Sequence, residues 1–274
     1  MRGWFVGTVL VLWTACYSPT ITPGAPCDLA LDNCPRGQRC ELVGGESFCV
    51  TSDGPRPDAD AAPSDASMDP DAMLNAWTLV QHEGAQGVNV SFPKTVVGNL
   101  IVVGVETNAG GAVTSVNDDA GNSYVRANGS RSVNVEKDFA VEVWYANNAM
   151  GGAGTITATA PTVYGVVMWE VDGFGPPDPI GNVVKVDEQA SSTTPDGAPI
   201  TTTTFGEFVV SIVIVANFIS GIRNGNAFTN DETVYGNGWA HLTSNTAPPG
   251  MYMAEWNALG GVSCTSSVAF RVNP

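Results

Sequence analysis

The sequence predicts an all-β protein whose main domain is a jelly-roll-like β-sandwich, preceded by a small disulfide-stapled segment and a disordered acidic linker. Three observations predict this order. Short runs rich in β-branched and aromatic residues, separated by Gly, Asn, Asp and Pro, fill residues 76–274. Four of the six cysteines crowd into residues 27–49, a length too short to bury a core. A stretch rich in Pro, Ala and Asp occupies residues 50–75 between them.

The N-terminus is typical of an export signal. Arg2 provides a positive charge, an apolar run covers residues 4–13, and two small residues precede Cys16. The run is too short to span a bilayer, which takes roughly 20 apolar residues. Residues 1–15 are therefore predicted to be a signal peptide that is removed from the mature protein.

The stretch that ends at Cys16 resembles a bacterial lipobox, with Trp13 at the position where an aliphatic residue is usual. The resemblance implies that Cys16 is acylated and begins the mature chain, so that residues 16–26 form a lipidated N-terminal segment. The protein is then expected at the outer membrane or cell surface, with the membrane as a partner through the lipid. Cleavage nearby without acylation, which would release a soluble protein, is the alternative.

The Cys-rich module at residues 27–49 is predicted to contain two disulfides, because export places it in an oxidising compartment. Its cysteines are Cys27, Cys34, Cys40 and Cys49. Four cysteines allow three pairings, and the spacing leaves the choice open. A zinc site is the weaker alternative, since close CxxC pairs are lacking. The run from Asn33 to Cys40 resembles a short cysteine module found after lipoboxes in predicted bacterial surface lipoproteins, where we expect it to act as a spacer.

The linker at residues 50–75 is predicted to be a disordered tether. It contains six Asp and four Pro residues, a composition that cannot bury a core. Proline and charge repulsion extend such a chain, and at about 3.1 Å per residue its reach is on the order of 75 Å. A calcium-binding tract is disfavoured because the Asp spacing does not match a calcium loop.

The domain at residues 76–274 contains twelve runs that read as β-strands, with turn residues between them. The runs are Ala76 to Gln81, Gly87 to Phe92, Leu100 to Glu106, Ala112 to Val116, Ser123 to Ala127, Phe139 to Ala146, Thr155 to Ala160, Val163 to Asp172, Phe208 to Ala216, Trp239 to Thr243, Met251 to Trp256 and Gly261 to Val272. The runs at 100–105 and 208–215 are apolar on both faces, which predicts central strands. Cys264 shares the face of Val268 and Phe270, so it is predicted to be a buried apolar residue.

A weak internal repeat is visible in this domain. The run at 98–103 parallels 206–210, and the runs at 141–146 and 154–159 parallel 252–256 and 263–268. Alternating strands produce similar patterns independently, so the sequence leaves duplication open.

Several of these runs together resemble an uncharacterised β-sandwich domain of secreted bacterial proteins, across nearly all of residues 76–274. The resemblance rests on the runs Gly98 to Val105, Val113 to Tyr124, Glu142 to Ala146, Trp169 to Gly173, Thr201 to Val210 and Val268 to Arg271. It implies a sandwich fold and an exported location, and it supplies no catalytic residue.

Catalytic motifs are weak in this sequence. A nucleophilic triad needs a base, and His82 and His241 have no recognisable partner, so both are predicted to lie at strand ends or rims. Glu170 and Asp172 share one face of a strand and faintly resemble the signature of sandwich-fold glucanases, but the second glutamate of that signature is replaced. The protein is therefore predicted not to be an enzyme, with a glycoside hydrolase as the least favoured alternative.

Metal and cofactor sites are not expected. The run from Asn117 to Asn122 offers several oxygens to calcium, but Asn, Asp and Gly in this order are typical of a tight turn, which we favour. The net charge of −16 and the lack of a Lys/Arg cluster argue against nucleic acid as a partner.

Ligand binding by a sandwich usually depends on exposed aromatic residues, and three are candidates: Trp144, Tyr235 and Trp239. In the run at 139–145 the odd positions are apolar and are predicted to face a core, which places Trp144 on the other face of its strand. Packing under a loop is the alternative role for each. The sequence thus predicts a membrane-anchored surface or periplasmic lipoprotein with a β-sandwich module for carbohydrate recognition or adhesion. A structural or protein-interaction module of the cell envelope is the runner-up.

Overall fold

A computed structural model describes residues 38–43, 46–51, 77–108, 111–174, 178–223, 225–232 and 236–272. These residues form strands and turns, and no helix occurs among them. Within the same ranges there is accordingly no helix of the length and apolar character that a membrane span requires. The chain divides into two compact units, residues 1–66 and 67–274. The predicted signal peptide, Cys16 and nearly all of the linker lie outside the described residues.

The first unit contains a β-hairpin formed by β1 (Gln38–Val43) and β2 (Glu46–Thr51). Cys40 lies opposite Cys49 in the antiparallel register. Cys49 is buried. Cys27 and Cys34 lie outside the described residues, so the pairing of the four cysteines stays a prediction.

The first half of the second unit, residues 77–174, builds a large and a small antiparallel sheet. Its strands are β3 (Thr78–Gln86), β4 (Asn89–Ser91), β5 (Leu100–Asn108), β6 (Ser115–Asp118), β7 (Val125–Arg126), β8 (Ser132–Asn134), β9 (Phe139–Ala146), β10 (Thr155–Thr159) and β11 (Val163–Asp172). The large sheet has the order β3-β11-β5-β9-β7, with β8 also paired to β9, and the small sheet has the order β4-β10-β6.

The second half, residues 178–272, builds one large sheet and two short ones. Its strands are β12 (Ile180–Gln189), β13 (Ile200–Thr201), β14 (Phe208–Val215), β15 (Ile219–Ile222), β16 (Phe228–Glu232), β17 (Gly238–Leu242), β18 (Met251–Tyr252), β19 (Trp256–Ala258) and β20 (Ser263–Phe270). The large sheet has the order β12-β20-β14-β17-β16, and the short sheets pair β13 with β18 and β15 with β19.

The two halves repeat one strand order. The row β3-β11-β5-β9 of the first half corresponds to β12-β20-β14-β17 of the second, and β16 takes the place of β7 and β8. In the small sheets, β13 and β15 correspond to β4 and β6. They pair with β18 and β19, where the first half uses the single strand β10.

The same backbone hydrogen bond fixes the entry to the third strand of each half. The N–H of Gly98 donates to the carbonyl of Ala149 at 2.8 Å, and the N–H of Gly206 donates to the carbonyl of Ala247 at 2.9 Å. Both glycines have positive φ, 91° and 67°, a backbone conformation that residues other than glycine disfavour. This match aligns β5 with β14 residue by residue and supports a true duplication.

The structure corrects the repeat expected from the sequence at two strands. The runs at 98–103 and 206–210 do correspond. The run at 141–146 is β9, whose counterpart is β17 and not residues 252–256, and the counterpart of β20 is β11 and not β10. Successive strands share a period of two, so alternation alone cannot distinguish one from the next.

The core lies between the two large sheets, which face each other. Inward side chains of β5, β9 and β11 pack against those of β14, β17 and β20. Separate apolar clusters fill the space between each large sheet and its short sheets. Strands β5 and β14 are therefore buried on both faces, which confirms their predicted central position. Cys264 is also buried in the core, as predicted, and burial raises the pKa of its thiol to about 12.

Each of the twelve predicted runs contains all or part of a strand. In the second unit the strands that were not predicted are β8, β12, β13, β15 and β16.

Candidate functional site

A cleft of about 430 Å³ lies beside the small sheet of the first half, and we call it the Trp144 cleft. One wall is β6, which among the described strands pairs only with β10 and so leaves its other edge open. The turn at 121–124 and the side chain of Trp144 complete the lining. Trp144 points outward from β9 because the alternate residues, Val143 and Tyr145, point into the core. This confirms the outward orientation predicted for Trp144.

The indole of Trp144 is half-buried and held at its polar edge. Its Nε1–H donates to Oε2 of Glu142 at 3.3 Å. Glu142 is fully buried, and its Oε1 accepts hydrogen bonds from the N–H of Val113 at 3.0 Å and lies 3.1 Å from Nε of Arg131. A buried carboxylate satisfied in this way fixes the ring without covering both of its faces.

Tyr124, which also lines the cleft, is held by Asp118. The Tyr124 hydroxyl donates to Oδ2 of Asp118 at 2.9 Å, and the backbone N–H groups of Ala120 and Asn122 donate to Oδ1 at 3.0 Å each. Burial alone would raise the pKa of Asp118, but the hydrogen bonds from Asn122, Tyr124 and Ala120 outweigh it and lower the pKa. The carboxylate is therefore ionised at neutral pH and orients the phenol ring, so two aromatic side chains stand in fixed positions around the cleft.

The acidic run at 117–122 is a turn, in line with the favoured interpretation. Asp118 closes the turn on itself, and Oδ1 of Asp119 accepts from the N–H of Gly154 at 2.7 Å while its Oδ2 lies 2.7 Å from Nζ of Lys94. The carboxylates are thus occupied by local donors. Across the described ranges, no group of three or more His, Cys, Asp or Glu side chains is placed to hold a metal ion.

The other two aromatic candidates do not join this cleft. Trp239 is completely buried in the core, where its ring centroid lies 6.2 Å from that of Trp169. The space for it is provided by Gly104, where an added Cβ would come within 2.1 Å of the Trp239 ring. The prediction that Trp239 offers an exposed ring is therefore wrong. Tyr235 lies outside the described residues.

The histidines have partners that the sequence did not reveal. Nδ1 of His241 lies 2.7 Å from Oδ1 of Asp231, and the indole N–H of Trp169 donates to Oδ2 of the same carboxylate at 2.7 Å. His82 lies 3.9 Å from Asp231. The ring of His241 stacks on Phe208 and is nearly buried, so this group is a structural link between the halves. Both histidines were predicted to lie at strand ends or rims; His82 lies instead in the middle of β3, and His241 is buried within β17.

Glu170 and Asp172, the two carboxylates of the weak glucanase resemblance, lie in different environments. Glu170 is fully buried and accepts hydrogen bonds from Nε2 of Gln81, the N–H of Val96 and Nδ2 of Asn99, at 2.5, 2.6 and 2.8 Å. Asp172 is exposed at the end of β11 and accepts from the N–H of its neighbour Gly173. Glu170 thus holds a loop in place, which leaves it no free oxygen for a substrate.

Comparison with known proteins gives no relative: no family model, no curated protein and no solved structure matches the chain. Function is therefore inferred from the cleft and the sequence.

Proposed function

We propose that the protein is an exported lipoprotein, anchored through acylated Cys16, that presents a β-sandwich binding module for a neutral saccharide at the outer membrane or cell surface. The observation that carries this proposal is the Trp144 cleft, which is lined by an indole, a phenol and several polar side chains. Aromatic rings stack on the apolar faces of sugar rings, while amide and hydroxyl groups bond to their hydroxyls.

The charge of the protein favours neutral over anionic saccharides. The chain carries a net charge of −16, which disfavours polyanionic ligands over a wide surface. The polar groups that line the cleft beside Trp144 are neutral apart from one carboxylate, and they include Ser115, Asn117, Asn122 and Ser123. A neutral hexose chain fits this chemistry better than a uronate or a phosphorylated sugar.

The duplication supports a specialised role for Trp144. Its counterpart in β17 is Ala240. Trp144 pairs with Val103 of β5, Ala240 pairs with Ser211 of β14, and these two partners correspond in the alignment of β5 with β14. Ala240 is fully buried beneath the outer cluster of the second half. The fold therefore does not require an aromatic residue at this position, and in the first half the aromatic residue lines a cleft.

The strand order also supports a finer description of the fold. We number the strands of each half in chain order, counting β7 and β8 as one strand and β18 and β19 as one. The large-sheet row is then first, eighth, third and sixth in both halves. The seventh strand pairs with the second and the fourth, in one small sheet in the first half and in two short sheets in the second half. This is the order of a jelly roll. We infer that the module at 76–274 consists of two jelly-roll-like sandwiches packed through their large sheets.

Anchor and tether complete the proposal. An acylated Cys16, two disulfides among the four clustered cysteines and the acidic linker at 50–75 would hold the module at a distance from the membrane. Mass spectrometry of the mature N-terminus is expected to find acylated Cys16, and surface proteolysis of whole cells is expected to release the module. An unmodified N-terminus would contradict the anchor.

Binding is tested on the purified full chain with a glycan array, followed by calorimetry on any saccharide that binds. Trp144→Ala is expected to weaken binding about tenfold or more, which corresponds to about 1.4 kcal/mol. The matched control is Phe205→Ala, because Phe205 is an aromatic residue 69% exposed in the second half. No binding to any neutral saccharide, or equal losses in the two variants, would sink the proposal.

A protein-interaction module is the second candidate, favoured by an exposed apolar group next to the cleft. Val97 and Met150 are 72% and 57% exposed, and Met150 donates its N–H to Oδ1 of Asn122 at the cleft wall. Crosslinking in whole cells that recovered one protein neighbour, and lost it in Val97→Ser, would favour this candidate over saccharide binding.

A further inference from the structure

A second cleft, of about 390 Å³, opens at one end of the space between the two large sheets, and we call it the seam cleft. Its volume is in the range of small-molecule sites. Both halves of the module line it: Lys137, Phe139 and Tyr164 come from the first half, and Ile214, Phe218 and Asn237 come from the second. Three aromatic side chains therefore share this cleft.

A buried acid, Glu106, lies behind Asn237, which lines the seam cleft; Glu106 itself is not one of the lining residues. Nδ2 of Asn237 donates to Oε2 of Glu106 at 2.8 Å, while Oδ1 of Asn237 accepts from the N–H of Val215. Glu106 is completely buried, and its Oε1 has no hydrogen-bond partner among the described residues. Burial raises the pKa of Glu106 well above its usual range, although the bond from Asn237 opposes the shift. Glu106 is therefore a buried acid with one oxygen that no described residue satisfies, which makes it a candidate functional group.

The duplicated fold shows that this acid is not needed for packing. Gly98 and Gly206 align β5 with β14, so Glu106 corresponds to Ile214. Ile214 is buried in the core between the sheets, where an apolar side chain is the stable choice. The first half thus keeps a costly carboxyl at a position where the second half has isoleucine.

We propose that the seam cleft binds a small organic cation, an amine or quaternary ammonium ion, with Glu106 as its counter-ion. Aromatic side chains attract such cations through their ring faces, and Phe139, Tyr164 and Phe218 supply them. The net charge of −16 favours cations over anions. The Lys137 ammonium group lies 3.3 Å from Oε1 of Glu136, which offsets its charge at the rim.

Binding then has a defined proton balance. Burial favours the protonated form of Glu106, whereas a cation beside it favours the carboxylate, and the proton lost from Glu106 then leaves to solvent. The neighbouring Cys264 thiol, with a pKa of about 12, keeps its proton in both states. Cation binding is therefore coupled to the release of a proton from Glu106.

The test is isothermal titration calorimetry on the full chain near neutral pH, in two buffers of different ionisation enthalpy. The probes are choline, tetramethylammonium and putrescine, with 3,3-dimethylbutan-1-ol as the uncharged isostere of choline. We expect at least one of the cations to bind with net release of protons. Choline is expected to bind at least tenfold tighter than its uncharged isostere. Absence of binding by all three cations, or equal affinity for choline and the isostere, overturns the proposal.

Variants assign the effect to Glu106. Glu106→Gln keeps an acceptor for Asn237 but cannot ionise, and it is expected to weaken cation binding at least tenfold and to abolish proton release. Glu106→Ile, which copies the second half, is the alternative if the glutamine variant does not fold. Trp144→Ala is the control and is expected to bind the cation normally, so failure here and failure of saccharide binding are distinguishable. Unchanged cation binding in Glu106→Gln overturns the role of Glu106.

Discussion

Glu106 should make the protein less stable as the pH rises, and the substitution Glu106→Gln should remove this pH dependence. The folded state holds the proton of Glu106 above the ordinary glutamate pKa of 4.5, because burial disfavours the charged form. The unfolded chain loses that proton near 4.5. The contribution of Glu106 to folding is therefore fully present below about pH 4.5 and is lost progressively as the pH rises towards the folded-state pKa.

The magnitude follows from the linkage of one proton. Between pH 4.5 and the folded-state pKa, the free energy of unfolding of the wild type should fall by about 1.4 kcal/mol per pH unit relative to Glu106→Gln. Urea denaturation of both proteins at several pH values from 4.5 to 7.5 measures this difference, and all other titrating groups cancel. Glu188→Gln, at an exposed position, is the matched control. A difference between wild type and Glu106→Gln that stays constant with pH would refute the reasoning.

Three further predictions concern the core. Trp239→Ala should lower the free energy of unfolding by about 3–5 kcal/mol in urea denaturation, because it leaves a cavity between the large sheets, and a loss below 1 kcal/mol would contradict the burial. Asp231→Ala should cost about 1–3 kcal/mol in the same assay, because it leaves the N–H of Trp169 and Nδ1 of His241 without their acceptor. Cys264 should resist thiol reagents in the native protein and react on unfolding, since its pKa is about 12; a fast native reaction would exclude the buried position.

The sequence was most informative where strands are long and apolar. Alternation identified β9 and β11 with their observed bounds and predicted which face of β9 enters the core. β12 was missed because Lys, Asp and Glu interrupt its apolar residues and Gly181 lies near its start. It is an edge strand that pairs only with β20 among the described strands, so its pattern reflects a half-exposed face more than a core.

The candidate sites depended on contacts that no local pattern encodes. Trp144 was found because the alternation along β9 places it on the outer face of the strand. The open edge of β6 beside it depends on the order of strands in the sheet, which no local pattern shows. Trp239 was misjudged because its Gly/Asn-rich surroundings suggested a loop, whereas Gly104 on a distant strand makes room for its ring. Asp231 approaches His241 through the pairing of β16 with β17, which includes a register shift.

The duplication gives both clefts an internal reference. Trp144 and Glu106 are the positions where the first half carries an aromatic and an acidic side chain, and the second half carries Ala240 and Ile214. The two side chains lie on opposite faces of one sheet, since Glu106 faces the second half and Trp144 faces the small sheet. In the register, Trp144 pairs with Val103, three residues from Glu106, or roughly 10 Å along the strand at about 3.3 Å per residue.

That separation predicts independent sites. Effects of substitutions more than about 7–10 Å apart usually add. The double variant Glu106→Gln with Trp144→Ala should therefore lose cation and saccharide binding by the same factors as the two single variants, with each single variant losing only its own ligand. Calorimetry with both ligands on the four proteins measures this. A single variant that lost both ligands would mean that the two clefts are coupled through the shared sheet, and the assignment of separate roles to its two faces would fail.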